Sequence, residues 1–236
     1  MSRHLAAIVL LVLSAFPMAC GDDESPMGSV RLRGVVFGFA SGELLEGARV
    51  SIAELPELAT TSAADGTWEL EVPDGARVTP VVELPRHPTM YLETFTTDGV
   101  DLERVNFQLV PEGIYRAFGS ILGEDIDPVR CQIASTVNVA AIGDLSFEQF
   151  RAYGPHGVAG ATVETTPSIG SQTVYFTEQT LPDRTLTETT IDGGVVWANV
   201  APGTYELRAV HPERTFRPST VTCEPGRFIN AGPPWG

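Results

Sequence analysis

From residue 30 onward the chain consists of short runs in which apolar and polar residues alternate. The runs at 30–33, 48–52, 68–72 and 105–109 alternate residue by residue, and a largely apolar stretch at 78–84 continues the series. Because successive side chains of a strand point to opposite faces of a sheet, this period of two indicates half-buried strands. Glycine, proline and Asp-Gly pairs separate the runs, which is typical of a β-sandwich.

The same sequence pattern occurs twice. Residues 47–50 (Gly-Ala-Arg-Val) have a counterpart at 160–163 (Gly-Ala-Thr-Val), and an Asp-Gly pair follows each of them, at 65–66 and at 192–193. A strand and a second turn come next in both copies. This internal repeat predicts a tandem duplication of one domain type. The Asp-Gly pairs favour tight turns, because glycine adopts a positive φ without a steric clash.

The repeat also predicts where the domains lie. We expect the boundary near Pro111, so that one sandwich spans residues 30–112 and the other spans 113–236. The second is larger because of an insertion at 167–184. It also contains the one predicted helix, at 146–153, which begins with the Ser-x-x-Gln spacing of a capping box.

The order of these motifs resembles that of the carboxypeptidase regulatory-like domain. In the first copy the resemblance covers residues 30–110, and in the second it is strongest at 192–210. That family has a transthyretin-like sandwich related to starch-binding-like domains. The resemblance implies an all-β protein of two tandem transthyretin-like (immunoglobulin-like) β-sandwiches. On such strands we expect Trp68, Trp197 and Tyr205 to fill the core.

The N-terminus has the layout of an export signal. An apolar run at 5–19 follows Arg3 and His4 and is too short for a membrane span, so we predict a signal peptide at 1–19. Cys20 directly after Ala19 resembles a bacterial lipoprotein signal, although Pro17 stands where that family prefers leucine.

The resemblance implies that Cys20 carries lipid and that residues 20–29 form a tether. Gly21 in place of aspartate favours the outer membrane. An ordinary signal peptide is the alternative.

Two further cysteines remain. In an oxidising compartment Cys131 and Cys223 are expected to form a disulfide, with two buried free thiols as the alternative. Neither cysteine has a neighbouring Cys or His at zinc-ligand spacing, so we predict no metal site there.

Composition and motifs argue against several functions. The chain has 30 acidic and 15 basic residues, and this charge repels nucleic acid and anionic lipid headgroups. His87, His156 and His211 lie in turns, and none has an acidic residue three positions on, as a zinc carboxypeptidase would need. No Gly-x-Ser-x-Gly motif is present. We therefore predict that the protein is not an enzyme and has no cofactor.

Four aromatic residues lie outside the repeated motifs, namely Tyr91, Phe95, Tyr175 and Trp235. Of these we take Trp235 and Tyr175 as candidate ligand-binding residues. The predicted function is that of a non-catalytic cell-envelope lipoprotein, a display or interaction module that uses loops on a rigid scaffold. Its expected partners are the membrane, through the lipid, and a protein or glycan of the envelope. The alternative is a carbohydrate-binding module at the cell surface.

Overall fold

The computed structural model describes residues 28–39, 41–143, 145–154 and 156–235. The predicted signal peptide and Cys20 lie outside the described residues. Strands hold 42% of the residues and helices 10%, which confirms the all-β prediction. In the described part of the chain, no helix is both long enough and apolar enough to cross a membrane.

The strands form two sandwiches. Those of the first sandwich are β1 (Ser29–Gly38), β2 (Arg49–Ile52), β3 (Leu55–Thr61), β4 (Thr67–Pro73), β5 (Arg77–Val78), β6 (Pro80–Glu83), β7 (Met90–Leu92), β8 (Phe95–Thr96) and β9 (Phe107–Leu109). Those of the second are β10 (Cys131–Thr136), β11 (Thr162–Thr166), β12 (Val174–Phe176), β13 (Pro182–Asp183), β14 (Gly194–Val200), β15 (Gly203–Val210), β16 (Ser219–Cys223) and β17 (Phe228–Asn230). The helices are α1 (Glu112–Leu122) and α2 (Phe147–Ala152), and a short 3-10 turn covers Ala140–Ile142.

Both sandwiches have the same topology. In the first, β1 pairs antiparallel with β4 and parallel with β9. In the second, β10 pairs antiparallel with β14 and parallel with β17. The opposing sheets also correspond, because the order β2-β6-β7 in the first matches β11-β15-β16 in the second. The sequence repeat is therefore accompanied by a repeat of strand pairing.

Equivalent side chains make equivalent hydrogen bonds in the two copies. The Ala48 backbone N–H donates to the Ser62 hydroxyl at 2.9 Å, and the Ala161 N–H donates to the Thr189 hydroxyl at the same distance. Each hydroxyl in turn donates to a backbone carbonyl, of Leu45 and of Val158 respectively. Both alanines are fully buried. The alanine of each Gly-Ala motif is thus a buried residue whose backbone is fixed by the same hydroxyl hydrogen bond in both copies.

The Asp-Gly motifs also have a structural role. Gly66 and Gly193 have φ values of 73° and 76°, and each accepts a backbone hydrogen bond, from Val36 and Val137 respectively. A Cβ on Gly66 would lie 2.6 Å from the Val36 oxygen, and one on Gly193 would lie 2.5 Å from the Val137 oxygen. Only glycine satisfies both the positive φ and this close approach.

The predicted core aromatics and the predicted disulfide are confirmed. Trp68, Trp197 and Tyr205 are all at least 95% buried, in the cores of the first and second sandwiches. Cys131 on β10 and Cys223 on β16 form a disulfide that joins the two sheets of the second sandwich. Both cysteines are buried, so the bridge is part of that core.

The helices agree only in part with expectation. α2 lies where a helix was predicted, and its capping box is present between Ser146 and Gln149. The prediction of a single helix is wrong, because α1 follows Pro111 directly. The sequence predicted only a domain boundary near Pro111, and glycine at position 119 lowers helix propensity. A Cβ on Gly119 would lie 2.9 Å from the Glu124 oxygen, where the chain folds back to close the helix.

The two sandwiches share one sheet. β17 of the second pairs in parallel with β7 of the first, with Ile229 opposite Tyr91, and so completes a nine-stranded sheet that runs through both. Phe228 of β17 belongs to the core of the first sandwich, and its ring lies 5.1 Å from that of Tyr115 on α1. Because main-chain hydrogen bonds and core packing cross the junction, the sandwiches form one block.

Candidate binding site

The two candidate ligand residues lie in different surroundings. Tyr175 is 4% exposed and packs in the core of the second sandwich with Trp197. Its hydroxyl accepts a hydrogen bond from the Val163 backbone N–H at 3.2 Å, and burial raises its pKa. The prediction of Tyr175 as a ligand residue is wrong, because β12 extends the sheet and directs this ring into the core.

Trp235 remains accessible, with 38% of its surface exposed. The Arg217 guanidinium lies 3.5 Å from the centre of the Trp235 ring, and Phe95 packs against it edge to face with centroids 5.0 Å apart. A cation stacked on one face of an indole is attracted by the ring quadrupole, so this contact orients Trp235. The remaining exposed surface of the ring is available to a ligand.

A buried acid supports this arrangement. Arg217 donates a 2.8 Å hydrogen bond to Glu93, whose side chain is 1% exposed. Removal from water raises the Glu93 pKa to about 7, although the charge of Arg217 lowers it in part. The second carboxylate oxygen of Glu93 has no hydrogen-bond partner among the described residues. Residues 90–95 are ordinary strand sequence, so nothing in the pattern marked Glu93 as buried.

A cleft of about 310 Å³ lies where the two sandwiches meet. We call it the junction cleft. It is bounded by the ends of β1 and β9 from the first sandwich and by β10, β17 and the α2 segment from the second. Ligand sites in proteins are usually concave and often lie at such junctions. The described side chains that define it are Phe37, Arg104, Asn106, Gln108, Asn138, Phe150, Arg151, His156 and Asn230.

Aromatic rings from both sandwiches line one side of the junction cleft. Phe147 of α2 lies 5.0 Å from Phe37 of β1 and stacks on Phe150 at 6.5 Å. The Phe150 ring is 4.7 Å from that of His156, whose Nδ1 donates to the Gly154 carbonyl at 2.9 Å. The capping box of α2 fixes this row, because it sets where the helix starts.

Several side-chain amides also line the cleft. The Asn106 side-chain oxygen accepts the Val35 backbone N–H at 2.9 Å, which fixes its orientation. Asn230 accepts the Gly232 N–H at 3.3 Å in the same way. Gln108 makes no side-chain hydrogen bond within the described residues. These groups can therefore donate to and accept from a polar ligand.

The charge of the cleft is opposite to that of the protein. The chain carries a net charge of −15, yet Arg104, Arg151 and His156 line the cleft and none of its described lining residues is acidic. The Arg104 guanidinium lies 5.7 Å from the Phe150 ring centre and donates to the Ile142 carbonyl. That of Arg151 lies 5.8 Å from the Phe147 ring centre. Both cations are thus held by rings at the edge of the cleft.

A second cavity of about 500 Å³ adjoins the junction cleft at one end of the second sandwich. The two share Thr136, Asn138 and Gly232 in their walls. Arg214, Arg217 and Trp235 line the second cavity, and again none of its described lining residues is acidic. Trp235 therefore stands beyond the junction cleft along a continuous surface, and Asp98 lies beside it in a further cavity.

The histidines lie in turns, as their proline and glycine neighbours predicted. The His87 ring contacts the carbonyl of Pro85, and the His211 ring accepts the Glu213 backbone N–H at 3.1 Å. Within the described ranges no group of three or more His, Cys, Asp or Glu side chains could hold a metal ion.

The chain was compared with known proteins. No protein-family model matches it, and no curated protein matches it. Among solved structures it is similar to the TIE protein of Bacillus anthracis (12% identity, 86% of this chain, TM-score 0.27), of whose length it covers 34%. It is also similar to the minor pilin GBS52 of Streptococcus agalactiae (11% identity, 86% of this chain and 94% of that chain, TM-score 0.26). The shaft pilin SpaA of Lactobacillus rhamnosus GG gives 10% identity over 88% of this chain and 98% of that chain, with a TM-score of 0.26. Values this low assign no function.

Proposed function

We propose that the chain is a non-catalytic lipoprotein of the bacterial cell envelope. Lipid on Cys20 anchors it to the outer membrane, and the fused sandwiches present an interaction surface, the junction cleft. The resemblance to the carboxypeptidase regulatory-like domain supports a scaffold role. In this chain the Asp-Gly motifs form turns, and the alanines of the Gly-Ala motifs are buried.

The observation that carries this proposal is that the cleft lies at the C-terminal end of β1. β1 begins at Ser29, the last residue of the predicted tether, and its last residues, Phe37 and Gly38, line the cleft. A strand rises about 3.3 Å per residue, so this one spans roughly 30 Å. A lipid on Cys20 would hold the Ser29 end of β1 toward the membrane and leave the cleft at the far end.

Fatty-acid labelling tests the anchor. The chain, expressed in a bacterial host with radiolabelled palmitate, is expected to take up label and to sediment with membranes. Cys20→Ala removes the acylated sulfur, so neither should occur, while the paired Cys131 and Cys223 are untouched. Label that persists in Cys20→Ala would remove the anchor from the proposal. Label absent from the wild-type chain would do the same.

A second candidate function is carbohydrate binding at the cell surface. Aromatic rings beside side-chain amides favour it, because sugars offer apolar ring faces and hydroxyl groups to such surfaces. Glycan-array binding that is lost in Trp235→Ala would support this function. Trp235 is the better probe because Tyr175 is buried. An array with no bound glycan would contradict it.

A further inference from the structure

We propose that the junction cleft binds an anionic sugar chain, in which an acidic group pairs with Arg151 and a sugar ring lies against the Phe150 side of the cleft. This rests on the proposed interaction function and names its ligand class. The ligand chemistry is a hydroxylated ring that carries a carboxylate, as in a polyuronic acid.

The charge distribution selects an anion. The chain has twice as many acidic as basic residues, yet the described walls of the junction cleft and of the adjoining cavity contain four arginines and no acid. Arginine binds carboxylates through two parallel N–H donors, so this concentration suits a carboxylate better than a neutral ligand. The acidic remainder of the surface repels anions elsewhere on the protein.

Arg151 is the arginine best placed to contact a ligand. It is exposed, and within the described residues it has no ion-pair partner. Its position is nevertheless defined, because it belongs to α2 and its guanidinium lies near the Phe147 ring. By contrast, the Arg217 guanidinium already donates a 2.8 Å hydrogen bond to the buried Glu93 carboxyl and packs on the Trp235 ring, so it is less free to turn toward a ligand.

The uncharged lining indicates a sugar more than a simple anion. The half-buried Phe150 provides apolar contact for the C–H face of a ring, and Gln108 and Asn230 provide donors and acceptors for hydroxyl groups. An inorganic phosphate would leave these groups unused. The adjoining cavity continues the surface of the junction cleft as far as Trp235, so the site accommodates a chain of rings.

Calorimetric titration of the full chain, purified in detergent, tests this inference. The probes are a tetramer of galacturonic acid, maltotetraose as the neutral counterpart, and inorganic phosphate. We expect the acidic tetramer to bind on the order of tenfold more tightly than either other probe. Its Kd should rise several-fold between 50 mM and 500 mM salt, because screening weakens the charge pairing.

Arg151→Gln is expected to weaken binding of the acidic tetramer by on the order of tenfold. Its control is Arg208→Gln, on an exposed arginine that lines neither cavity and has a loose 3.7 Å ion pair with Glu206. This control should bind like the wild type. Thermal unfolding of both variants verifies that they fold, which we expect because both side chains are exposed.

Several outcomes would overturn the inference. If the neutral tetramer bound as tightly as the acidic tetramer, charge would not select the ligand. If phosphate bound as tightly as the acidic tetramer, the sugar rings would not contribute to binding. Loss of binding that is the same in Arg208→Gln as in Arg151→Gln would show that the contact is not local to the cleft. Absence of binding to every probe would also overturn it. None of these results bears on the lipid anchor, which fatty-acid labelling tests separately.

Discussion

The buried Glu93 carboxyl makes the stability of the fold depend on pH. Burial raises its pKa from 4.5 to about 7, because removal from water outweighs the attraction of Arg217. In the unfolded chain the carboxyl is solvated and titrates near its ordinary pKa. Between these two pKa values the folded state binds more protons than the unfolded state. The free energy of unfolding therefore falls as the pH rises through this window.

The size of the effect follows from the two pKa values. At about 1.4 kcal/mol for each pH unit between them, the folded state loses roughly 3 kcal/mol as the pH rises from 4.5 to 7. Above pH 7 the carboxyl is ionised in both states, and its contribution is constant. The side chain is 1% exposed, so solvent screening does not reduce this value much.

Glu93→Gln isolates this contribution. Glutamine keeps an oxygen acceptor for Arg217 but does not ionise, so its effect on stability is independent of pH. Urea unfolding of both proteins at several pH values from 4.5 to 8 measures the difference. We expect the wild type to lose about 3 kcal/mol relative to the variant over this range. Glu83→Gln, on an exposed partner of Arg49, is the control and should show little change.

The same pH dependence in the wild type and in Glu93→Gln would refute this reasoning. It would mean that Glu93 ionises with its ordinary pKa in the folded protein, and hence that its carboxyl is solvated. A wild type that gains stability over the variant as the pH rises would contradict the sign of the effect.

Two further predictions concern the scaffold. Replacing both Cys131 and Cys223 by alanine should lower the free energy of unfolding by about 4 kcal/mol, because the bridge closes a loop with a sequence separation of 92; unchanged denaturant midpoints would contradict this. Gly66→Ala and Gly193→Ala should each cost several kcal/mol, since the new Cβ would meet a backbone oxygen, whereas Gly75→Ala meets open space and should cost about 1 kcal/mol. Equal melting temperatures for the three glycine variants would show that close approach at the Asp-Gly turns does not matter.

Local signals in the sequence predicted the scaffold well. The alternation of apolar and polar residues is a property of each strand, so it is visible without knowledge of the partner strand. The Asp-Gly turns and the capping box of α2 are also short local motifs, and the cysteine pair follows from the number of cysteines in the chain. Helix α1 was missed because Pro111 was interpreted as the domain boundary, although proline is common at the start of a helix. Gly119 disfavours a helix, and the close approach of the Glu124 backbone oxygen explains the glycine.

The candidate site could not be predicted in the same way. Phe37, Gln108, Phe150 and Asn230 are far apart in sequence and meet only because β17 pairs with β7 and joins the sandwiches. The burial of Tyr175 likewise depends on the pairing of β12 with β14. Tyr175 lies in a strand-like run, where an exposed ring and a core ring have the same local pattern, so the sequence alone did not show that Tyr175 is buried.

Hydrogen–deuterium exchange with and without the galacturonic acid tetramer tests most directly whether the junction between the sandwiches is the binding site. We expect slower exchange in bound protein for peptides that cover 104–108 and 147–156, and no such change in Arg151→Gln. Exchange that is unchanged in these peptides, or slowed only in segments away from the junction cleft, would contradict it.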